Sequence, residues 1–385
     1  MTRTVSSLIG GSGVEGAPGG QMTVPNPAHL DEVVAEASLA DAPTFVEACR
    51  TARRAQDAWA HVPAPVRGRA VQQLGRLVEE NKRALATLLT REIGKPFTES
   101  LGEVQEVVDT CAFFQSEGRR LYGQTVPSEL PDKQLFTFRA PVGVSVIITA
   151  GNFPVAVPSW YIVPALLCGN AVVWKPAEYT PATAEAFAQL ILHAGLPEGV
   201  FNMVLADGPT AFTGLERAMD DGLVDKVGFT GSTDVGRRIG ELCGRHFQSP
   251  CLELGGKNPL VVMPDADLDL AVEGALFSGF GTAGQRCTSL GTVIVDESVH
   301  DDFLSRFSAA VAGAAIGEPM EDVLYGPMMN GRFCDRFLGW IDLVRPHHKL
   351  YGSSGTGRIT AENPRQGFVG EPSEDRKSTR LNSSH

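Results

Sequence analysis

A cysteine at position 287 stands in the run GTAGQRCTS (281–289), between a helical pattern and an apolar strand. Small neighbours leave room for a substrate carbon to reach the sulfur, and the Cys287 backbone N–H can face a developing oxyanion. In isolation an inert buried cysteine would look the same. Upstream, Glu253 closes an apolar strand in LELGGKNP (252–259), just before a Gly-Gly break. A carboxylate at such a place is costly unless it is paired or functional. Either the N–H groups of the glycine turn satisfy it, or it is a general base that activates water. Asn152, in ITAGNFPVAVP (148–158), follows a buried strand and precedes a helix, at the edge where parallel sheets place their sites. Its amide can donate to an oxyanion or cap the helix.

Two further blocks follow strands. In WKPAE (174–178), Lys175 and Glu178 can hold the two hydroxyls of an adenosine ribose. In FTGSTDVG (229–236), Ser232 or Thr233 caps a helix whose N-terminus can receive a pyrophosphate. The block is not GxGxxG, and a Gly-Ser-Thr helix start alone says little.

The elements that must position these residues are read from periodicity. Residues 1–40 read as an irregular arm with short strands. Helical spacing is predicted over 44–60, 65–90 and 98–120. The stretch 123–140, with alternating Leu135, Thr137 and Arg139 around a Pro-Asp turn, reads as a projecting hairpin. Then β and α signals alternate: strands at 142–148, 171–175, 200–205 and 226–230, helices at 155–167, 181–193, 209–219 and 233–244. A second βα series starts at CLELGG and runs through PLVVM, a helix at 268–280, the strand TVIV and a helix at 299–313. Repeated βα units with apolar strands imply an α/β fold, a parallel sheet covered by helices on both faces.

Composition narrows the function classes. The formal net charge of −12 repels phosphate backbones, so nucleic acid is not expected as a partner. The longest apolar run, 155–168, is interrupted by Pro158, Ser159, Trp160 and Pro164, so no membrane span is expected. The N-terminus has no apolar h-region. Seven cysteines without CxxC spacing fit the reducing cytoplasm, with no disulfide framework and no metal site.

Taken in order, these five blocks resemble the aldehyde dehydrogenase superfamily over about residues 20–370. The glutamate and cysteine blocks are similar to its two signature motifs, and the 34-residue step between Glu253 and Cys287 also matches. VPAPVRG (62–68), GEVQE (102–106), NFPVAV (152–157) and GTAGQRCT (281–288) look closest to the aminoadipate-semialdehyde (piperideine-6-carboxylate) dehydrogenase branch. The resemblance implies Cys287 as nucleophile, Glu253 as general base and Asn152 as oxyanion donor. It implies NAD as cofactor, with NADP possible, held by Ile148, Thr149, Ala150, Gly151, Lys175, Glu178, Gly231, Ser232, Gly236 and Leu254. It further implies a Rossmann-type coenzyme domain (1–122 and 141–253), an oligomerisation hairpin (123–140) and an α/β catalytic domain (254–372), in a homo-oligomer acting on a small aldehyde. One departure stands out. Family members carry a later ExFGP motif and a terminal strand that pairs across the dimer. Here NPRQGFVGEP (363–372) resembles the stretch before that motif, and the catalytic domain is expected to be incomplete. The polar run 373–385 reads as a non-native or disordered tail. An inactive fragment and a CoA-acylating relative are the alternative readings.

Overall fold

The computed structural model describes residues 2–341. The segment 363–372 and the tail 373–385 lie outside them. The N-terminal arm is more regular than expected. Strands β1 (Arg3–Val5), β2 (Leu8–Ile9) and β3 (Ser12–Gly13) lead to a long hairpin of β4 (Gly20–Asn26) and β5 (His29–Leu39), with β1 pairing parallel to β5. Ala35, Ala37 and Leu39 face inward while Glu36 and Ser38 alternate outward, the period-two pattern of a half-buried strand.

Four helices follow: α1 (Ala42–His61), α2 (Ala64–Glu80), α3 (Lys82–Ile93) and α4 (Phe97–Glu117). Asp41 caps α1, accepting from the Thr44 N–H at 2.9 Å and its hydroxyl at 2.6 Å. The helix expected over 65–90 is two helices. They part at Asn81 (φ −102°, ψ 8°), whose side chain donates to the Leu77 carbonyl at 2.8 Å and competes with the backbone ladder. The hairpin of β6 (Thr125–Val126) and β7 (Leu135–Phe136) is exposed throughout.

The βα series is β8 (Val144–Ile148), α5 (Ala156–Leu167), β9 (Ala171–Lys175), α6 (Pro181–Leu192), β10 (Phe201–Met203), α7 (Gly208–Asp220), β11 (Lys226–Gly231), α8 (Thr233–Arg245) and β12 (Cys251–Leu254). The sheet order is β12-β11-β8-β9-β10-β2-β3, parallel from β12 to β10. Alternate residues of one strand serve opposite faces. Val172 and Trp174 pack with Phe187 and Phe201, whereas Ala171 and Val173 pack with Phe45 and Phe229. From β8 the chain steps to β9 and β10 on one side, then crosses to β11 on the other. The C-terminal ends of β8 and β11 therefore form a topological switch point, where open α/β sheets open a binding crevice.

After β12 come β13 (Asn258–Val262), α9 (Leu268–Phe280), a tight turn over Gly281–Gly284, β14 (Leu290–Val295), α10 (His300–Gly313) and α11 (Gly331–Ile341). Strands β13 and β14 pair parallel and share a separate core with Phe303 and Phe307. Among the described residues no helix is long and apolar enough to cross a membrane.

Candidate active site

Strand register brings the sequence-selected residues to one edge of the sheet. Leu252 pairs with Phe229, Phe229 with Ile148, and Ile148 with Lys175, so the C-terminal ends of β12, β11, β8 and β9 are level. Ile148, Thr149, Ala150, Gly151 and Asn152 continue from β8. Gly231 and Ser232 continue from β11, and Leu254 ends β12.

Each of these positions has a local cause. A Cβ on Gly151 would come within 2.4 Å of the Tyr179 ring, so only glycine lets that loop lie against the segment after β9. Thr149 accepts from the Trp174 indole at 3.0 Å. Ser232, not Thr233, caps α8, accepting from the Val235 N–H at 3.4 Å. A Cβ on Gly236 would meet the Leu254 side chain at 2.4 Å, so this pair acts in the packing of α8 onto β12. Lys175 is buried and donates to Glu178 at 3.0 Å. Burial pushes the Glu178 carboxyl up, but Lys175, its own backbone N–H and Arg332 together hold it below its usual range.

The Asn152 side chain is buried, and its amide donates to the Gln285 carbonyl at 2.9 Å, two residues before Cys287. Asn152 is not the cap of α5. The amides of Val155 and Ala156 there donate to Glu103 from α4, at 2.9 and 3.1 Å. Of the two readings open for Asn152, capping is therefore occupied by another residue.

Cys287 is half-buried, just beyond a turn in which Thr282 (φ 53°) and Ala283 (φ 55°) are left-handed, a conformation costly for residues with a Cβ. Glu253 is exposed on the edge strand β12, not buried as its apolar flanks suggested, and its negative charge acts on the Cys287 thiol. Burial, then the charge of Glu253, pushes the thiol above its usual range, while the N–H groups of Cys287 and Thr288 work in the opposite sense. The thiol is thus acted on by a carboxylate and by two backbone donors in opposite senses. That arrangement can pass a proton to the carboxylate and stabilise negative charge beside the sulfur.

Several neighbours gave little signal in the sequence. Asn258 donates to the carbonyls of Cys287 and Ser289 at 2.8 and 2.9 Å, clasping the cysteine segment from β13. Tyr161, on α5, donates to the Phe229 carbonyl at 3.4 Å and lies 3.1 Å from the Thr230 hydroxyl, beside Glu253 in the next strand. Lys95 and Glu103 form a fully buried ion pair at 2.5 Å, with the Lys95 ammonium 3.4 Å from the Phe153 ring centroid. Among the described residues no group of three or more His, Cys, Asp or Glu is arranged to hold a metal.

Comparison with known proteins places the chain in a family. Residues 14–373 match the model of the aldehyde dehydrogenase family. The chain is 38% identical to bovine alpha-aminoadipic semialdehyde dehydrogenase over 340 residues, covering 86% of this chain and 61% of that protein. It is 38% identical to the succinate-semialdehyde dehydrogenase [NADP(+)] of Escherichia coli, covering 84% and 67%. The chain thus spans about three fifths to two thirds of the length of these relatives. Betaine aldehyde dehydrogenase from Staphylococcus aureus, solved in complex with NAD+, superposes with a TM-score of 0.88 at 29% identity, covering 95% of this chain and 72% of that one.

Proposed function

The chain belongs to the aldehyde dehydrogenase family, and from that premise we propose that it carries the nucleophile, base and coenzyme cradle of an enzyme oxidising a semialdehyde to its carboxylic acid. The observation that carries this reading is the Asn152 amide on the Gln285 carbonyl, beside Cys287, with the Glu253 charge acting on that thiol.

The dinucleotide fits the residues at the sheet edge. Lys175 and Glu178 hold the adenine ribose, the α8 N-terminus at Ser232 takes the pyrophosphate, and the 148–151 loop lines the crevice. Glu178 favours the free ribose hydroxyls of NAD, and Lys175 softens its repulsion of a 2′-phosphate, so NADP is tolerated. Bound there, the dinucleotide supplies the hydride acceptor.

The chain's own residues do the rest. The Cys287 sulfur attacks the aldehyde carbon as thiolate, its proton passing to solvent. Asn152 and the Cys287 N–H bind the resulting oxyanion. Collapse of that oxyanion passes the aldehyde hydrogen as hydride to the acceptor that the dinucleotide would supply and leaves a thioester on Cys287. Glu253 then takes a proton from water, which attacks the thioester and releases the acid. A base in this position favours water over CoA as the acyl acceptor. Residues 1–122 and 141–253 act as the coenzyme domain and 254–372 belongs to the catalytic domain. The exposed 123–140 hairpin serves a homo-oligomer. The reducing cytoplasm keeps the thiol ready. Several relatives are named for aldehydes bearing a remote carboxylate, succinate, glutarate and alpha-ketoglutarate semialdehydes among them, and we assign this class of substrate.

Glu253→Gln separates the two half-reactions. The NADH burst should keep most of its amplitude while steady-state turnover falls about 100-fold, because the step most dependent on the base is deacylation. Equal losses in burst rate and turnover would place Glu253 before hydride transfer and contradict the assignment.

A further inference from the structure

Glu99, on α4, lies far from Cys287 in sequence but is fastened to the turn that carries it. Its carboxylate accepts from the Thr282 N–H at 2.9 Å and the Thr282 hydroxyl at 2.5 Å, and it pairs with the guanidinium of Arg286. Thr282 is one of the two left-handed non-glycine residues of that turn, and Arg286 is the residue before the thiol. Both partners are largely withdrawn from solvent, with side-chain exposures of 9% for Glu99 and 20% for Arg286. The Arg286 guanidinium also lies over the rings of Phe277 and Phe153, 5.1 and 5.6 Å from their centroids.

We propose that Glu99 is a positioning residue for Cys287, which holds the strained 282–283 turn in place and neutralises Arg286 so that this cation does not ionise the thiol prematurely. This rests on the reading of Cys287 as the nucleophile. A strained turn persists only where its surroundings over-determine it, and Glu99 supplies both an acceptor for the turn's backbone and a counter-charge for its last residue. Without the carboxylate, an unbalanced guanidinium would stabilise the neighbouring thiolate. The thiol would then ionise at lower pH and become open to non-productive alkylation and oxidation. Among the described residues, the other charged or titratable groups acting near the thiol include Glu253 from β12 and Tyr161 from α5, with Lys95 near Arg286.

The test is the pH dependence of iodoacetamide alkylation at Cys287 in the full chain, read by peptide mass mapping. Glu99→Gln keeps an acceptor for Thr282 but removes the charge, and the alkylation midpoint should fall by about half a pH unit or more. Arg286→Gln removes the cation, and the midpoint should rise. A role confined to holding the turn would move both variants in the same direction, so same-sign shifts, or no shift in either, overturn the proposal. If Glu99→Gln fails to fold, Arg286→Gln decides alone: a rise supports the proposal, and a fall or no change overturns it. Failure of the underlying reading looks different. Wild-type Cys287 would then label no faster than Cys168 or Cys251, and the proposal would fall with it.

Discussion

Cys287→Ser should lower dehydrogenase turnover by about a thousandfold or more while leaving dinucleotide binding near the wild-type level. A serine hydroxyl is several pH units harder to ionise than a thiol, so it offers far less of the anionic nucleophile at neutral pH. Removing a covalent nucleophile also removes the two-step route as a whole, and for this reason such losses are large and non-additive with those of its partners. The other cysteines serve as controls. Cys168 is partly buried and Cys251 exposed, and neither lies in the turn beside Asn152 and Asn258. Cys168→Ala and Cys251→Ala should keep turnover within a few-fold of wild type. Steady-state kinetics with a semialdehyde and NAD decide the matter. A Cys287→Ser enzyme with near-normal turnover, or a comparable loss in either control, would move the nucleophile elsewhere.

The second large effect is expected in stability. The Lys95–Glu103 pair has no side-chain exposure on either partner. Burial drives the Lys95 pKa down, and Glu103 works against that shift. Glu103 also accepts the two amides that open α5, the helix entered directly from Asn152. Glu103→Gln keeps an oxygen for those amides but strands the ammonium beside Phe153. Breaking a buried pair from one side costs about 3–5 kcal/mol. The pair's own net contribution is much smaller, because each ion loses its hydration on burial. The double variant Lys95→Met/Glu103→Gln should therefore be more stable than Glu103→Gln alone. Chemical denaturation of the single and double variants measures this. A Glu103→Gln loss below about 1 kcal/mol, or strictly additive losses, would contradict the role assigned to the pair.

How far the sequence could reveal this arrangement depended on what held each part together. Strands such as AVVWK and KVGFT are buried on both faces, and their apolar runs can be read directly. The βα alternation after residue 142 was therefore clear, and with it the edge carrying Asn152, Lys175 and Ser232. The arm before residue 40 was less legible. In β5 two of the inward positions, Ala35 and Ala37, are alanines and the outward ones include Glu36, residues of low strand propensity whose alternation only pairing with β4 makes plain. The break at Asn81 was hidden because the apolar stripe runs on from α2 into α3 across a single residue.

The site divided in the same way. Cys287, Glu253 and Asn152 announced themselves through glycine-rich surroundings and strand ends. Glu99, Glu103, Lys95 and Tyr161 act across elements distant in sequence. On a helix with polar neighbours, Glu99 is indistinguishable from a solvated side chain until the fold brings Thr282 and Arg286 to it. Glu253 was legible as a candidate carboxylate but not as an exposed one, because the exposure of β12 follows from its place at the sheet edge rather than from its own residues.

The central claim is that oxidation proceeds through an acyl group on Cys287. Its most direct measurement is mass analysis of the Glu253→Gln protein, acid-quenched soon after mixing with glutarate semialdehyde and NAD. In that variant the thioester is expected to outlive its formation. The account predicts an acyl adduct on the Cys287 peptide, two hydrogens lighter than a simple aldehyde addition, formed only when NAD is present and in step with NADH. NADH formation without that adduct, or an acyl group on another cysteine, would contradict it.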